Sequence, residues 1–249
     1  MINTIPHYLK FNSENYAQYI AIREKKFGIW KTKSWSQCYD EVQRIALGLY
    51  SRGVKDKNTI AILGNNTPRW TLSELAIQSL GSIPLGIYSD ALESEISFLI
   101  DHSNCSIFFV EDEEQADKIM SLPSSRSKVN LIIYDEPKGM NKYDDKRLIS
   151  YKALIEDGKK YRENNKRKFL DLLENIKEED VCMYCPTSGT TSNPKLAMVS
   201  HKAILNHAKS YLVADPKNSK DEYVSVLPMP WIMEQTYAVA KWCLCRMKV

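Results

Sequence analysis

Thr59-Ile60-Ala61-Ile62-Leu63-Gly64-Asn65-Asn66-Thr67-Pro68-Arg69-Trp70 is the stretch whose reading decides the fold. A short apolar run without polar alternation suits a strand covered on both faces, as in a parallel sheet layered between helices. Gly64-Asn65-Asn66 ends that strand, and Pro68 opens a helix predicted through Leu80, with Gly81 closing it. The same unit then recurs. Ile83 to Tyr88 reads as a strand, Glu93 to His102 as a helix with Ile96, Leu99 and Ile100 inward, and Ser106 to Val110 as a strand. Acidic residues at 111–114 begin a helix that suits the positive end of its dipole, and Val129 to Tyr134 supplies a further strand. Strands alternating with helices at this spacing predict an α/β fold, doubly wound, with mostly parallel sheet layers and flanking helices.

Working backward from Thr59, residues 14–53 read as mostly helical, with Val42, Ile45, Ala46 and Leu49 at helical spacing and Gly53 as a C-cap. Working forward, residues 136–180 are polar and sparse in apolar positions until Phe169, Leu170, Leu172 and Leu173. They are expected to form a surface excursion and one amphipathic helix, returning to the core at Val181.

The 249 residues include 34 Lys and Arg against 31 Asp and Glu, a formal charge of +3. That excess is too small to argue for nucleic acid, and the basic run at 159–168 lacks interleaved aromatics and suits a solvated helix face. The N-terminal residues show no basic region followed by an apolar one, and no apolar stretch has the length to cross a bilayer. The expected location is the cytoplasm, with peripheral contact at a membrane left open. Cys182 and Cys185 form a C-x-x-C, and Cys243 and Cys245 a C-x-C. The second spacing is wrong for a four-thiolate zinc site, so reduced buried thiols are expected and no metal ligand is assigned.

Chemistry concentrates after Val181. The apolar run Val181-Cys182-Met183-Tyr184-Cys185 leads into Pro186-Thr187-Ser188-Gly189-Thr190-Thr191-Ser192-Asn193-Pro194-Lys195. Five hydroxyl side chains lie within residues 187–192, around one glycine, with a lysine following. Hydroxyls and free backbone N–H groups can surround phosphate oxygens, glycine lets the backbone approach, and lysine adds a mobile charge. On composition alone a hydroxyl-rich surface turn fits equally well. A nucleotide-binding P-loop is excluded: Gly189 and Lys195 have the required separation, but Pro194 replaces the second glycine and Leu196 the Mg²⁺-binding Ser/Thr. Leu196 to Val199 reads as a strand, and Ser200 as the N-cap of a helix burying Ile204, Leu205, Ala208, Tyr211 and Leu212.

The run from Thr187 to Lys195 resembles the signature T-S-G-[ST]-T-G-x-P-K-G of the acyl-adenylate-forming (AMP-binding) superfamily, and Met198-Val199-Ser200-His201 fits its continuation. Ser192 and Leu196 depart from that signature, each standing where it has glycine. The early strand-turn-helix at 61–70, Pro84-Leu85-Gly86-Ile87-Tyr88, and Leu227-Pro228-Met229-Pro230-Trp231-Ile232-Met233-Glu234-Gln235 are similar to the long-chain fatty acyl-CoA synthetase branch, although many relatives have His where Trp231 stands.

The resemblance implies ATP-dependent activation of a carboxylic acid, a long-chain fatty acid by the branch, through an acyl-adenylate to acyl-CoA. ATP, Mg²⁺ and coenzyme A are the implied co-substrates and metal. Thr187, Ser188, Thr190, Thr191 and Lys195 would hold the β- and γ-phosphates, Gly189 would give backbone access, and Lys195, Thr190 and Thr191 would be the catalytic group. Trp231 and Glu234 would lie on the acyl side, ordinary core packing being the alternative for Trp231. An ionised carboxylate needs no general base, so His102, His201 and His207 are read as structural or surface residues.

The resemblance further implies that residues 1–249 are part of the N-terminal AMP-binding domain. Residues 1–58 form a helical lead-in, 59–135 the first strand–helix repeats, 136–180 the polar excursion and 181–249 the phosphate loop and start of the acyl-pocket element. The adenine-binding motif and the C-terminal domain have no counterpart here, so a downstream domain or second chain is expected to complete the site. Two alternatives remain: a non-catalytic remnant or interaction module, and adenylation of an aromatic or medium-chain acid.

Overall fold

The computed structural model describes residues 2–123, 128–187 and 195–249. Its centre is a seven-stranded sheet of order β7-β6-β5-β3-β4-β8-β9. The strands are β3 (Thr59–Leu63), β4 (Ile83–Ile87), β5 (Ile107–Val110), β6 (Leu131–Tyr134), β7 (Leu148–Ser150), β8 (Val181–Pro186) and β9 (Leu196–Ser200). Every neighbouring pair is parallel except β8 with β9. This is the expected α/β arrangement.

β3, β4 and β5 are buried at every position. Their alternate residues divide the interior. Ile60, Ile62, Ile107 and Phe109 face one apolar cluster, while Ala61, Leu63, Phe108 and Val110 face another. Burial on both faces explains the unbroken apolar runs. On the first side lie α1 (Ile5–Asn15), α2 (Trp35–Ser51) and α3 (Pro68–Ser79); on the second lie α4 (Glu93–Ser103) and α5 (Glu113–Ser121). α3 begins where Thr67 accepts from the Trp70 amide, one residue before Pro68. It is buried at every position but Arg69, which makes it a core helix despite Glu74 and Gln78.

Two readings require correction. Residues 14–53 are not mostly helical, because a two-stranded antiparallel hairpin, β1 (Ile20–Lys26) with β2 (Ile29–Ser34), separates α1 from α2. The polar stretch 136–180 is more ordered than a surface excursion with one helix. It carries a 3₁₀ turn at Met140–Lys142, the sheet strand β7, and two helices, α6 (Tyr151–Asn164) and α7 (Lys168–Glu174). α6 lies close against α2: a Cβ added at Gly158 would clash with the Arg44 carbonyl oxygen. α7 buries Phe169 and Leu173.

Beyond β9, Ser200 caps α8 (His201–Ala214), which buries Ile204, Leu205 and Ala208 as expected, whereas Tyr211 and Leu212 are only half-buried. The last helical stretch starts as α9 (Ile232–Glu234), widens into a π-helix (Gln235–Lys241), and tightens as α10 (Trp242–Cys245). Trp242 anchors it: its ring stacks on Trp35 with centroids 4.6 Å apart, and its indole N–H donates to the Ala21 carbonyl at 2.9 Å. All six cysteines are buried free thiols.

Candidate active site

In open α/β sheets ligands gather beyond the carboxyl ends of parallel strands. The connection from β3 leads through α3 to β4 on one side, and that from β5 leads through α5 to β6 on the other. The crevice between β3 and β5 is therefore the place where connections diverge. Here it is nearly closed, with a cavity of about 30 Å³ lined by Trp70, Ser73, Asp135 and Tyr151 among others. Arg69 pairs with Asp135 and lies over the Tyr151 ring at 4.9 Å. A nucleotide has no room there.

The next carboxyl ends are those of β4 and β8. β8 runs out at Pro186, and β9 returns from Leu196. The Thr187 N–H donates to the Lys195 carbonyl at 2.8 Å, and the Thr187 hydroxyl donates to the same oxygen at 3.2 Å. These bonds add one rung to the β8–β9 ladder and close the mouth of the hydroxyl-rich loop. The Lys195 side chain is left exposed, with no acidic partner among the described residues. Ser188, Gly189, Thr190, Thr191 and the departing Ser192 lie outside the described residues. Beside the loop, Tyr88 follows β4 and is half-buried, and burial raises its phenol above the usual range.

A second segment crosses the same strands. Pro230 packs so closely on β4 that a Cβ at Gly86 would come within 2.9 Å of its Cα. The Cys185 thiol on β8 points at the Pro230 carbonyl, 3.5 Å away. Asn66, in the turn after β3, ties the segment down with three bonds. Its amide donates to Ser225 Oγ and to the Leu227 carbonyl, both at 2.7 Å, and its Oδ1 accepts from the Met229 N–H at 3.2 Å. The sequence marked Asn66 only as a strand terminator. Its partners lie about 160 positions away, beyond any local signal.

Trp231 is 45% exposed on this segment. Glu234 is fully buried, and its carboxylate accepts from the Tyr223 hydroxyl at 2.6 Å and from the Ser225 hydroxyl. That geometry makes Glu234 a tether for residues 223–234. His201 is buried and accepts from the Ile5 N–H at 3.4 Å; burial lowers its pKa to about 3, and His7 adds to the effect. His102 stacks on Phe98, and His207 packs edge-on to Tyr211.

An exposed lysine with no acidic partner among the described residues, at the mouth of a hydroxyl-rich loop, fits a polyphosphate. No group of His, Cys, Asp or Glu among the described residues is arranged to hold a metal ion.

Comparison with known proteins gives the family and the fold. The family model described as "AMP-binding enzyme" matches residues 9–249. The long-chain-fatty-acid–CoA ligase ACSBG2 of Rattus norvegicus is 27% identical over 238 residues, covering 93% of this chain and 35% of its own. Long chain acyl-CoA synthetase 4 of Arabidopsis thaliana is 26% identical over 212 residues, covering 83% and 31%. The chain thus spans about a third of the length of these relatives. Among solved structures, the luciferase-like enzyme of the Zophobas morio mealworm superposes with a TM-score of 0.77 at 18% identity, over 98% of this chain and 53% of that one. The fatty acyl-adenylate ligase of L. pneumophila, solved with acyl adenylate and pyrophosphate, gives a TM-score of 0.76 at 16% identity, over 99% and 39%. At these identities the two structures speak for the fold.

Proposed function

The chain belongs to the AMP-binding enzyme family, and from that footing we propose that it supplies the phosphate-binding part of a ligase that activates a long-chain fatty acid with ATP for transfer to coenzyme A. The observation that carries the reading is the loop from Thr187 to Lys195, closed at its base by the Thr187–Lys195 bonds at the carboxyl ends of β4 and β8, with the Lys195 side chain exposed.

In this reaction a carboxylate oxygen attacks the α-phosphorus of ATP, and the bond to pyrophosphate breaks. The nucleophile is already ionised, so the protein's task is alignment and compensation of phosphate charge. Lys195 gives a charge-assisted hydrogen bond to the β- and γ-phosphates. Ser188, Thr190 and Thr191 add hydroxyls, Gly189 gives backbone access, and Thr187 joins them at the base it holds closed. A divalent cation, Mg²⁺ in this reading, would share the phosphate charge. Trp231 forms a wall on the acyl side, and Glu234 fixes the segment that carries it. The parts of the relatives that this chain does not match would contribute the adenine site and the remaining catalytic groups, so the chain by itself is expected not to complete adenylation.

Pyrophosphate exchange tests the reading. The chain joined to whatever coding sequence follows it in the source is assayed with a long-chain, a medium-chain and an aromatic acid. Exchange fastest with the long-chain acid supports the proposal; exchange led by another acid changes the substrate class. Absence of exchange from a folded protein favours a non-catalytic remnant.

A further inference from the structure

We propose that the β1–β2 hairpin docks on a membrane, its tip of Phe27, Gly28, Ile29 and Trp30 entering the headgroup–acyl boundary of an anionic bilayer. The proposal stands independently of the catalytic reading.

At the root of the hairpin Ala21 and Ile22 are buried, and the Arg23 N–H donates to the Val249 carbonyl at 2.6 Å. The outer half touches the body through the Lys26–Glu136 pair but leaves its apolar side chains exposed. Phe27 is 92% exposed, Ile29 67% and Trp30 59%. Three large apolar side chains are thus exposed within four consecutive residues at the tip, on both faces of the hairpin, and clustered apolar exposure of this kind marks interaction sites.

The backbone at the tip adds to the case. Lys26 pairs with Ile29, leaving a two-residue turn in which Phe27 and Gly28 both have positive φ, 52° and 80°. Such a turn favours Asn or Asp at its first position, and a bulky residue there is strained. Nothing in the body rewards Phe27 for taking this conformation, since its side chain lies in solvent. A partner outside the chain gives the reward.

Charge selects the partner. Residues 20–34 hold five basic residues, Arg23, Lys25, Lys26, Lys31 and Lys33, and one acidic residue, Glu24, a net of +4 against +3 for the whole chain. The positive excess is concentrated on this hairpin. Arg23 pairs with Glu222, Lys26 with Glu136 and Lys33 with Glu41, whereas Lys25 and Lys31 have no ion pair among the described residues. The Arg23 and Lys25 cations lie 5.4 and 5.9 Å from the Trp30 ring centroid. An amphipathic ring beside flexible cations suits the interface where headgroup phosphates meet acyl chains. A stable protein partner or second copy requires about 800 Å² per side, more than four tip residues offer. No helix among the described residues is long and apolar enough to cross a membrane, so the contact is with the surface.

The test uses the full chain with vesicles of phosphatidylcholine alone, or with about one-third phosphatidylserine. Cosedimentation should favour the anionic vesicles, and lipids brominated near the headgroup should quench a tryptophan signal that Trp30→Phe removes. Phe27→Asp should lower partitioning about tenfold or more, with near-ultraviolet dichroism unchanged. Lys25→Glu with Lys31→Glu should erase the preference for anionic lipid. No vesicle binding, binding unchanged by Phe27→Asp, or quenching that survives Trp30→Phe overturns the proposal. So does a dimer in lipid-free solution that Phe27→Asp dissolves, which would make a second copy the occupant.

Discussion

Thr187 and Lys195 meet across the base of the hydroxyl-rich loop, where one carbonyl oxygen of Lys195 accepts from both the backbone N–H and the hydroxyl of Thr187. The two ends of the loop are thereby fixed while the lysine side chain stays exposed. Thr187→Val removes only the hydroxyl bond of this exposed pair and should cost about 0.5 kcal/mol. Thr187→Pro also removes the N–H and should cost more. Thermal melts of the two variants check the order, and an equal or reversed effect would remove the loop-closing role.

Asn66 holds residues 225–229 with three hydrogen bonds. Asn66→Ala leaves two acceptors, Ser225 Oγ and the Leu227 carbonyl, and one donor, the Met229 N–H, to be met by solvent or not at all, and should destabilise the fold by about 2 kcal/mol. Amide hydrogen exchange should accelerate first in residues 223–231. A uniform acceleration across the sheet would show that Asn66 supports the fold generally.

Glu74 predicts an unusual pH dependence. Its carboxyl is fully buried in α3; Oε1 accepts from Gln78 at 3.2 Å, and Oε2 has no partner. Burial pushes its pKa up to about 8, against a smaller downward pull from Gln235. A carboxyl whose pKa is higher in the folded chain binds its proton more tightly there. Its contribution is full below pH 4.5, and is lost as pH rises through the folded value near 8. Glu74 alone should therefore lower stability on the order of 3 kcal/mol between pH 5 and 8. Urea unfolding of Glu74→Gln, compared with the parent chain across that window, should show this component flattened. His201 works in the opposite direction, since its lowered pKa removes stability as pH falls below 6.5.

Trp242 joins three parts of the fold through its stack on Trp35 and its bond to the Ala21 carbonyl. Both rings are buried. Trp242→Ala should cost about 3–5 kcal/mol, enough to unfold a marginal domain. Trp242→Phe retains most of the apolar contact and should recover much of the loss. Chemical denaturation of both variants checks this, and a loss below about 1 kcal/mol for alanine would contradict the anchoring role.

The alternating core was legible because β3, β4 and β5 are buried on both faces, and their apolar runs end at residues such as Gly64 and Thr67 that turn or cap the chain. The hairpin was not. β2 is exposed through most of its length, so no buried face imposes a period of two, and its turn uses Phe27-Gly28 in place of a familiar Asn-Gly. β7 escaped notice because it has three residues, all half-buried. At the site, composition and resemblance pointed to the loop and to Trp231. The parts played by Asn66, Gly86 and Cys185 arise from contacts that exist only once distant segments have packed.

The phosphate-loop assignment is tested most directly by titrating the chain with pyrophosphate and ATP, following the Lys195 side-chain ammonium and backbone resonances. Saturable binding, strong or weak, that Lys195→Ala abolishes is the predicted result, with Lys195→Arg retaining part of it. Absence of binding by the folded chain, or equal binding by the chain and Lys195→Ala, would contradict the assignment.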